Sequence, residues 1–154
     1  VEKLALEVWK SGWGFDAVVC LARGGLRIGD VFSRLFDRPL GVLFTSSYRD
    51  DAGTTQGRLL IGEQLSCARP LPGTRWLLVD DLVDTGETLL QVLPALRSRH
   101  PQVREIRSAV LWRKGASAAE PDYFVEHLPT NPWIHQPFEE YDHMRPGDLK
   151  RRWG

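Results

Sequence analysis

The chain has 154 residues, 42% of them hydrophobic, with 20 basic and 20 acidic side chains and a formal net charge of zero. That length and composition suit one compact domain with its own core, and they exclude a disordered chain or a small scaffold that needs disulfides or a metal to fold. The neutral balance argues against a general polyanion binder, so nucleic acid is not an expected partner. Cys20 and Cys67 stand apart, without metal-ligand spacing, and fit a reducing, cytoplasmic setting. No apolar run approaches the ~20 residues of a bilayer span, so no integral membrane segment is expected. The chain opens at Val1, already in a helical pattern, which points to a missing N-terminal segment.

Val1, Leu4, Ala5, Val8 and Trp9 share one helical face. Gly12 and Gly14 end that pattern. The apolar run Ala17 to Leu21 predicts a strand covered on both faces. Ala22-Arg23-Gly24-Gly25 is a tight loop, and Leu26 to Phe36 a helix with Ile28, Val31, Phe32 and Leu35 at helical spacing. Leu40 to Thr45 predicts a second strand. Ser46 to Ala68 is irregular, with a hairpin arm at Leu59 to Ile61, and Pro70, Pro72 and Gly73 mark a turn. Arg75 to Asp80 is the clearest strand. Gly86 to Ser98 follows as a helix with Leu89, Leu93 and Leu96 inward, and Pro94 predicts a kink or restart because it removes a backbone donor. Ile106 to Trp112 and Tyr123 to His127 are two further strands, and the basic end, Leu149 to Gly154, reads as a solvated tail. Strands alternating with helices predict an α/β fold with a parallel sheet and right-handed crossovers. Ligands of such sheets sit beyond the carboxyl ends of the strands, which places the chemistry after Leu21, Thr45, Asp80 and Trp112.

The segment Trp76 to Thr88 concentrates that chemistry. Asp80 and Asp81 close the strand, and two adjacent carboxylates there are costly to desolvate unless a cation or hydroxyls meet them. Asp84-Thr85-Gly86-Glu87-Thr88 then opens a helix that Asp84 or Thr85 can cap. Gly86 lets the backbone approach a ligand, and free amides at a helix start cradle a phosphate. Carboxylates for sugar hydroxyls and a metal, with amides for a phosphate, fit a sugar phosphate. The acidic pair alone fits equally well an α/β site that binds only Mg²⁺. No Walker A loop and no Gly-x-Gly-x-x-Gly is present, so nucleotide hydrolysis and dinucleotide binding lack support.

The run Leu-Leu-Val-Asp-Asp-Leu-Val-Asp-Thr-Gly-Glu-Thr resembles the phosphoribosyl-pyrophosphate signature of type I phosphoribosyltransferases. The similarity extends over about residues 17 to 142 and is closest to the short xanthine–guanine and archaeal purine enzymes. It implies a single domain over residues 1–154, with a parallel sheet flanked by helices, a small base-binding hood and a C-terminal base-pocket segment over about residues 128–142. Ala22-Arg23-Gly24-Gly25 matches the family's pyrophosphate loop, where Arg23 supplies charge, the glycines expose amides, and the Ala22–Arg23 peptide is expected to be cis. Ser46-Ser47-Tyr48 matches the start of a mobile loop over about residues 46–68, from which Arg58, or alternatively Arg49, reaches the pyrophosphate. The resemblance gives the ribose hydroxyls to Asp80 and Asp81, with Asp81 also near Mg²⁺. It makes Asp84 the general acid/base at purine N7, and wraps Thr85, Gly86, Glu87 and Thr88 around the 5′-phosphate.

Lys114 matches the lysine that meets the 6-oxo group; an ammonium carries donors only and so disfavours adenine. Trp133 and Ile134, in Asn131-Pro132-Trp133-Ile134-His135-Gln136-Pro137, match the base pocket, the indole stacking on the purine and the Ile134 carbonyl accepting from a 2-amino group. The expected partners are phosphoribosyl pyrophosphate and a 6-oxopurine, with assembly as a homodimer or homotetramer. A donor-sensing regulator with little catalysis, or a transferase for another base, are the competing readings. Two departures from the family's pattern stand out: an N-terminal strand region common in relatives is absent or cut, and Asp50 to Arg75 differs in length and character, which bears on the loop contacts and on substrate preference.

Overall fold

The computed structural model describes residues 1–47 and 59–154. Arg49 and Arg58, the two candidates for a loop contact to pyrophosphate, and Tyr48 lie outside the described residues. Six strands form one sheet in the order β3-β2-β1-β4-β5-β6. These are β1 (Ala17–Ala22), β2 (Leu40–Ser47), β3 (Leu59–Ile61), β4 (Arg75–Val83), β5 (Glu105–Lys114) and β6 (Tyr123–Leu128). All neighbours pair in parallel except β3, which runs antiparallel to β2 with Thr45 opposite Ile61. The predicted hairpin arm is therefore the antiparallel edge of an otherwise parallel sheet.

Helices cover both faces. On one side α1 (Glu2–Lys10) and α2 (Leu26–Phe36) pack Leu4, Val8, Ile28 and Phe32 onto Val18, Cys20, Leu77 and Val79. On the other, α3 (Glu87–Arg99) packs Leu89, Val92 and Leu96 onto Val19, Leu21, Leu78 and Val110. Strict alternation along the strands feeds the two cores, and each fully buried large side chain contributes about 1.5 to 3 kcal/mol. All six residues of β1 are buried, as the unbroken apolar run requires of a central parallel strand. The bottom of the sheet is tied by Asp16, whose carboxylate accepts from the N–H groups of Thr74 at 2.8 Å and Arg75 at 2.9 Å.

Several expectations change. Val1, Trp9 and Leu35 do not face the core; Trp9 is 69% and Leu35 60% exposed. The buried stripe of α1 is the narrower set Leu4, Ala5 and Val8, and Trp9 lies one flank away from it. Pro94 does not restart the helix: α3 runs continuously from Glu87 to Arg99. The basic end is not a plain tail either. It forms α5 (Pro146–Trp153), following the single turn α4 (Glu140–His143). Pro146 suits a first helical position, and Asp148 accepts from the Arg145 N–H at 2.7 Å, reaching back across the first turn.

β4 also outruns its predicted end. Asp80, Leu82 and Val83 pair with Val110, Trp112 and Arg113 of β5, so the acidic pair lies inside the ladder rather than beyond it. β5 likewise continues through Trp112 to Lys114. Backbone pairing between two long neighbours carries both strands past the point where apolar character fades.

Candidate active site

β1 and β4 are neighbours, and the connections that leave their carboxyl ends run in opposite directions, from β1 to β2 and from β4 to β5, which opens a crevice between them. The loop Ala22-Arg23-Gly24-Gly25 crosses that crevice, with a cis peptide between Ala22 and Arg23. Its glycines are required by contact. A Cβ on Gly24 would stand 2.6 Å from Asp81 Oδ1, and one on Gly25 would stand 2.5 Å from the Val79 carbonyl oxygen. The loop is thus pressed flat against β4, directly over the acidic pair.

The two carboxylates are held by nearby donors. Asp80 Oδ1 accepts from the Asp81 N–H at 2.9 Å, and Asp81 Oδ1 from the Leu82 N–H at 2.8 Å. Asp81 Oδ2 also accepts from the Gln136 amide at 3.3 Å. Burial, and then the charge of Asp81 beside it, push the Asp80 carboxyl well above the ordinary carboxylate range. Burial likewise raises Asp81. Two like charges side by side and partly withdrawn from water favour a proton or a cation between them. Among the described residues no group of three or more His, Cys, Asp or Glu converges on a metal position. The pair offers oxygen donors alone, which suits a hard divalent ion that completes its shell with water and ligand oxygens.

Beyond β4, Gly86 is the N-cap of α3, in place of the expected Asp84 or Thr85. It holds φ at +86°, where a Cβ would meet the Ala119 backbone nitrogen at 2.5 Å. A glycine cap brings no side chain to cover the first-turn amides. The Glu87 N–H donates to Thr85 Oγ1 at 3.4 Å, and the Thr85 carbonyl accepts from the Ala118 N–H at 2.9 Å. The turn is therefore clamped by the loop after β5. The same strand end supplies Lys114, 5% exposed, whose Nζ lies 3.2 Å from Asp84 Oδ1. The half-exposed carboxylate neutralises an ammonium that is otherwise expensive to bury.

A cavity of about 580 Å³ brings together Arg23, Gly24, Asp80, Asp81 and Thr88. Asp84, Thr85, Gly86, Glu87 and Lys114 are not on its wall, nor are Trp133 and Ile134. Trp133 is 69% exposed, and its indole N–H donates to Glu139 Oε2 at 3.2 Å. The cavity wall also includes Arg27, Gln136, Phe138, Glu139 and Asp142, which the sequence reading did not single out. Arg27 carried one signal, its position four residues after Arg23. The others lie within the segment 128–142 expected to serve the base, but residues 136–142 contact Arg23, Arg27 and Asp81 instead, a placement with no local sequence signature.

Three comparisons bear on this arrangement. The family model for the phosphoribosyl transferase domain matches residues 1–143. The hypoxanthine-guanine phosphoribosyltransferase of Homo sapiens is 30% identical over 141 residues, covering 83% of this chain; the match spans 63% of that relative's length. Among solved structures, the xanthine-guanine-hypoxanthine phosphoribosyltransferase of Helicobacter pylori superposes with a TM-score of 0.72 at 30% identity, covering 97% of this chain and 92% of that one. The purine phosphoribosyltransferase of Pyrococcus horikoshii Ot3 gives a TM-score of 0.66 at 28% identity, covering 88% and 83%.

Proposed function

Because the chain belongs to the phosphoribosyl transferase family, we propose that it transfers the 5-phosphoribosyl group of phosphoribosyl pyrophosphate to a 6-oxopurine (guanine, xanthine or hypoxanthine), releasing pyrophosphate. The observation that carries the reading is the layout around β4. The acidic pair lies directly under Gly24, and the Lys114–Asp84 pair stands beside the glycine-capped start of α3. One side suits a ribose and its leaving pyrophosphate, the other a base and a 5′-phosphate. The relatives' own substrates, as their names give them, are purines.

In this mechanism Asp80 and Asp81 orient the ribose hydroxyls, and the amides of Gly86 to Thr88 hold the 5′-phosphate. Arg23 draws charge onto the pyrophosphate as the C1–O bond breaks and its electron pair leaves with that group. Purine N9 forms the new bond to C1, and the N7 proton passes to Asp84. Lys114 donates to the 6-oxo oxygen while its charge steadies the Asp84 carboxylate. Trp133 stacks on the base once it is bound, with the Ile134 carbonyl at its 2-position. Asp81 would hold Mg²⁺, largely through water, and the ion would supply neutralisation of the pyrophosphate charge. Assembly as a homodimer or homotetramer and a cytoplasmic setting belong to the same reading. Among the described residues no helix is long and apolar enough to cross a membrane.

The test is a transferase assay with Mg²⁺, the donor and a panel of guanine, xanthine, hypoxanthine and adenine. The 6-oxopurines are expected to give product and adenine little. Asp84→Asn is expected to lower turnover ~10²-fold or more while donor binding survives. No product with any base, alongside intact donor binding, would replace the enzyme with a donor-binding regulator.

A further inference from the structure

Residues 136–142 make three separate grips on the crevice. The Gln136 amide donates to Asp81 Oδ2 at 3.3 Å. The Phe138 ring lies under the Arg27 guanidinium, 4.0 Å from its carbon. Asp142 Oδ1 pairs with Arg23 at 3.2 Å, with the two side chains 47% and 82% exposed. Arg23 and Arg27 both border the cavity, one on the loop after β1 and the other in the first turn of α2. Neither arginine is stabilised by deep burial, and each is engaged by one residue of the same short segment.

An exposed ion pair and an exposed cation–π contact are weak, and each gives way readily to a better ligand. A pyrophosphate is such a ligand: it carries several negative charges and oxygens that match a guanidinium fork. Asp142 and Glu139, on the same wall, repel it as long as the segment stays in place. We infer that Arg27 is a second pyrophosphate-binding residue beside Arg23, and that residues 136–142 form an anion-displaced strap whose Phe138 and Asp142 hold the two arginines until the donor takes them over. The inference rests on the donor reading above and adds to it a residue and a competing contact. It also gives the crevice a defined order of events. The arginines change partner, the strap lifts from the loop, and Asp81 exchanges the Gln136 amide for ligand hydroxyls.

The experiment is calorimetric titration of inorganic pyrophosphate with Mg²⁺ into the wild type and four variants. Ribose 5-phosphate, titrated in parallel, reports on the phosphate turn and on folding. Arg27→Met is expected to weaken pyrophosphate ~10-fold, and Arg27→Lys to keep it within ~3-fold of wild type. Asp142→Asn is expected to tighten it ~2- to 5-fold, because the binding-competent fraction rises when an exposed pair is lost. Phe138→Leu changes no charge and is expected to tighten it about twofold, which separates release of Arg27 from a general electrostatic gain. Ribose 5-phosphate affinity is expected to stay level in Arg27→Met and Arg27→Lys. Unchanged pyrophosphate affinity in Arg27→Met removes Arg27 from the site. Equal or weaker binding in Asp142→Asn and Phe138→Leu removes the strap. A wild type that binds no pyrophosphate overturns the donor reading together with the inference, whereas wild-type binding with flat variants overturns the inference alone.

Discussion

The turn between β4 and α3 and the segment from 129 to 142 both serve the crevice, yet they are built in opposite ways. The turn is backbone held by backbone. β4 is laddered between β1 and β5, Gly86 takes a conformation that suits glycine, and the Ala118 N–H bonds the Thr85 carbonyl. The C-terminal segment has no fully buried residue, and it is joined to the crevice by side chains: Gln136 to Asp81, Phe138 to Arg27, and Asp142 to Arg23. A phosphate cradle needs fixed amides, and only a rigid backbone keeps them fixed. A wall that must admit a ligand is better made of contacts worth little individually.

Gly86→Ala attacks the rigid region where it is least forgiving. The positive φ and the contact with Ala119 together are expected to cost ~2 to 3 kcal/mol of stability, read by urea unfolding. A loss below ~0.5 kcal/mol would mean that the turn tolerates rearrangement, and the contrast with the C-terminal segment would collapse.

Asp80→Asn sharpens the same side through pH. The folded Asp80 carboxyl is raised above its ordinary value of 3.8, so between 3.8 and the raised value the folded state binds more protons than the unfolded one. This group's contribution therefore favours folding at the acid end of that window and is lost as pH rises through the raised value. The wild type without cations is expected to lose stability across that interval relative to Asp80→Asn, whose melting curve should vary less with pH. Parallel pH profiles for the two proteins would show that the acidic pair is not strained by its burial.

Trp133→Ala probes the C-terminal side and should do least to the fold. An indole that is 69% exposed is expected to contribute under ~0.5 kcal/mol to stability. Purine nucleotide affinity is expected to fall by ~1 to 3 kcal/mol if the ring stacks on the base, measured by fluorescence titration of a labelled nucleotide. A large loss of stability with unchanged affinity would make Trp133 a packing residue and reverse its assignment.

Most of the fold was legible because apolar periodicity is a local property. The buried run Ala17 to Leu21, the stripe Ile28 and Phe32, and the alternation that feeds two cores all stand in the order of residues. Where the reading slipped, at Trp9, Leu35 and the ends of β4 and β5, the deciding partner lay on another element. A helical face is wider than the surface that receives it, and a strand continues as long as its neighbour offers hydrogen bonds. Pro94 stayed within α3 because the helix packs Leu89, Val92 and Leu96 against the sheet, which offsets one missing donor.

By itself the sequence determined the parallel α/β sheet, the acidic pair, the glycines of both loops and the lysine beyond Trp112. Each is a residue type demanded by the backbone around it or by a nearby charge. Only the tertiary structure decided that Lys114 meets Asp84, that Gly24 lies on Asp81, and that Phe138 and Asp142 return to Arg27 and Arg23. The last two contacts join residues more than a hundred positions apart. Contacts at that separation arise from how β1 and the last strand are ordered in the sheet, and no local periodicity encodes that order.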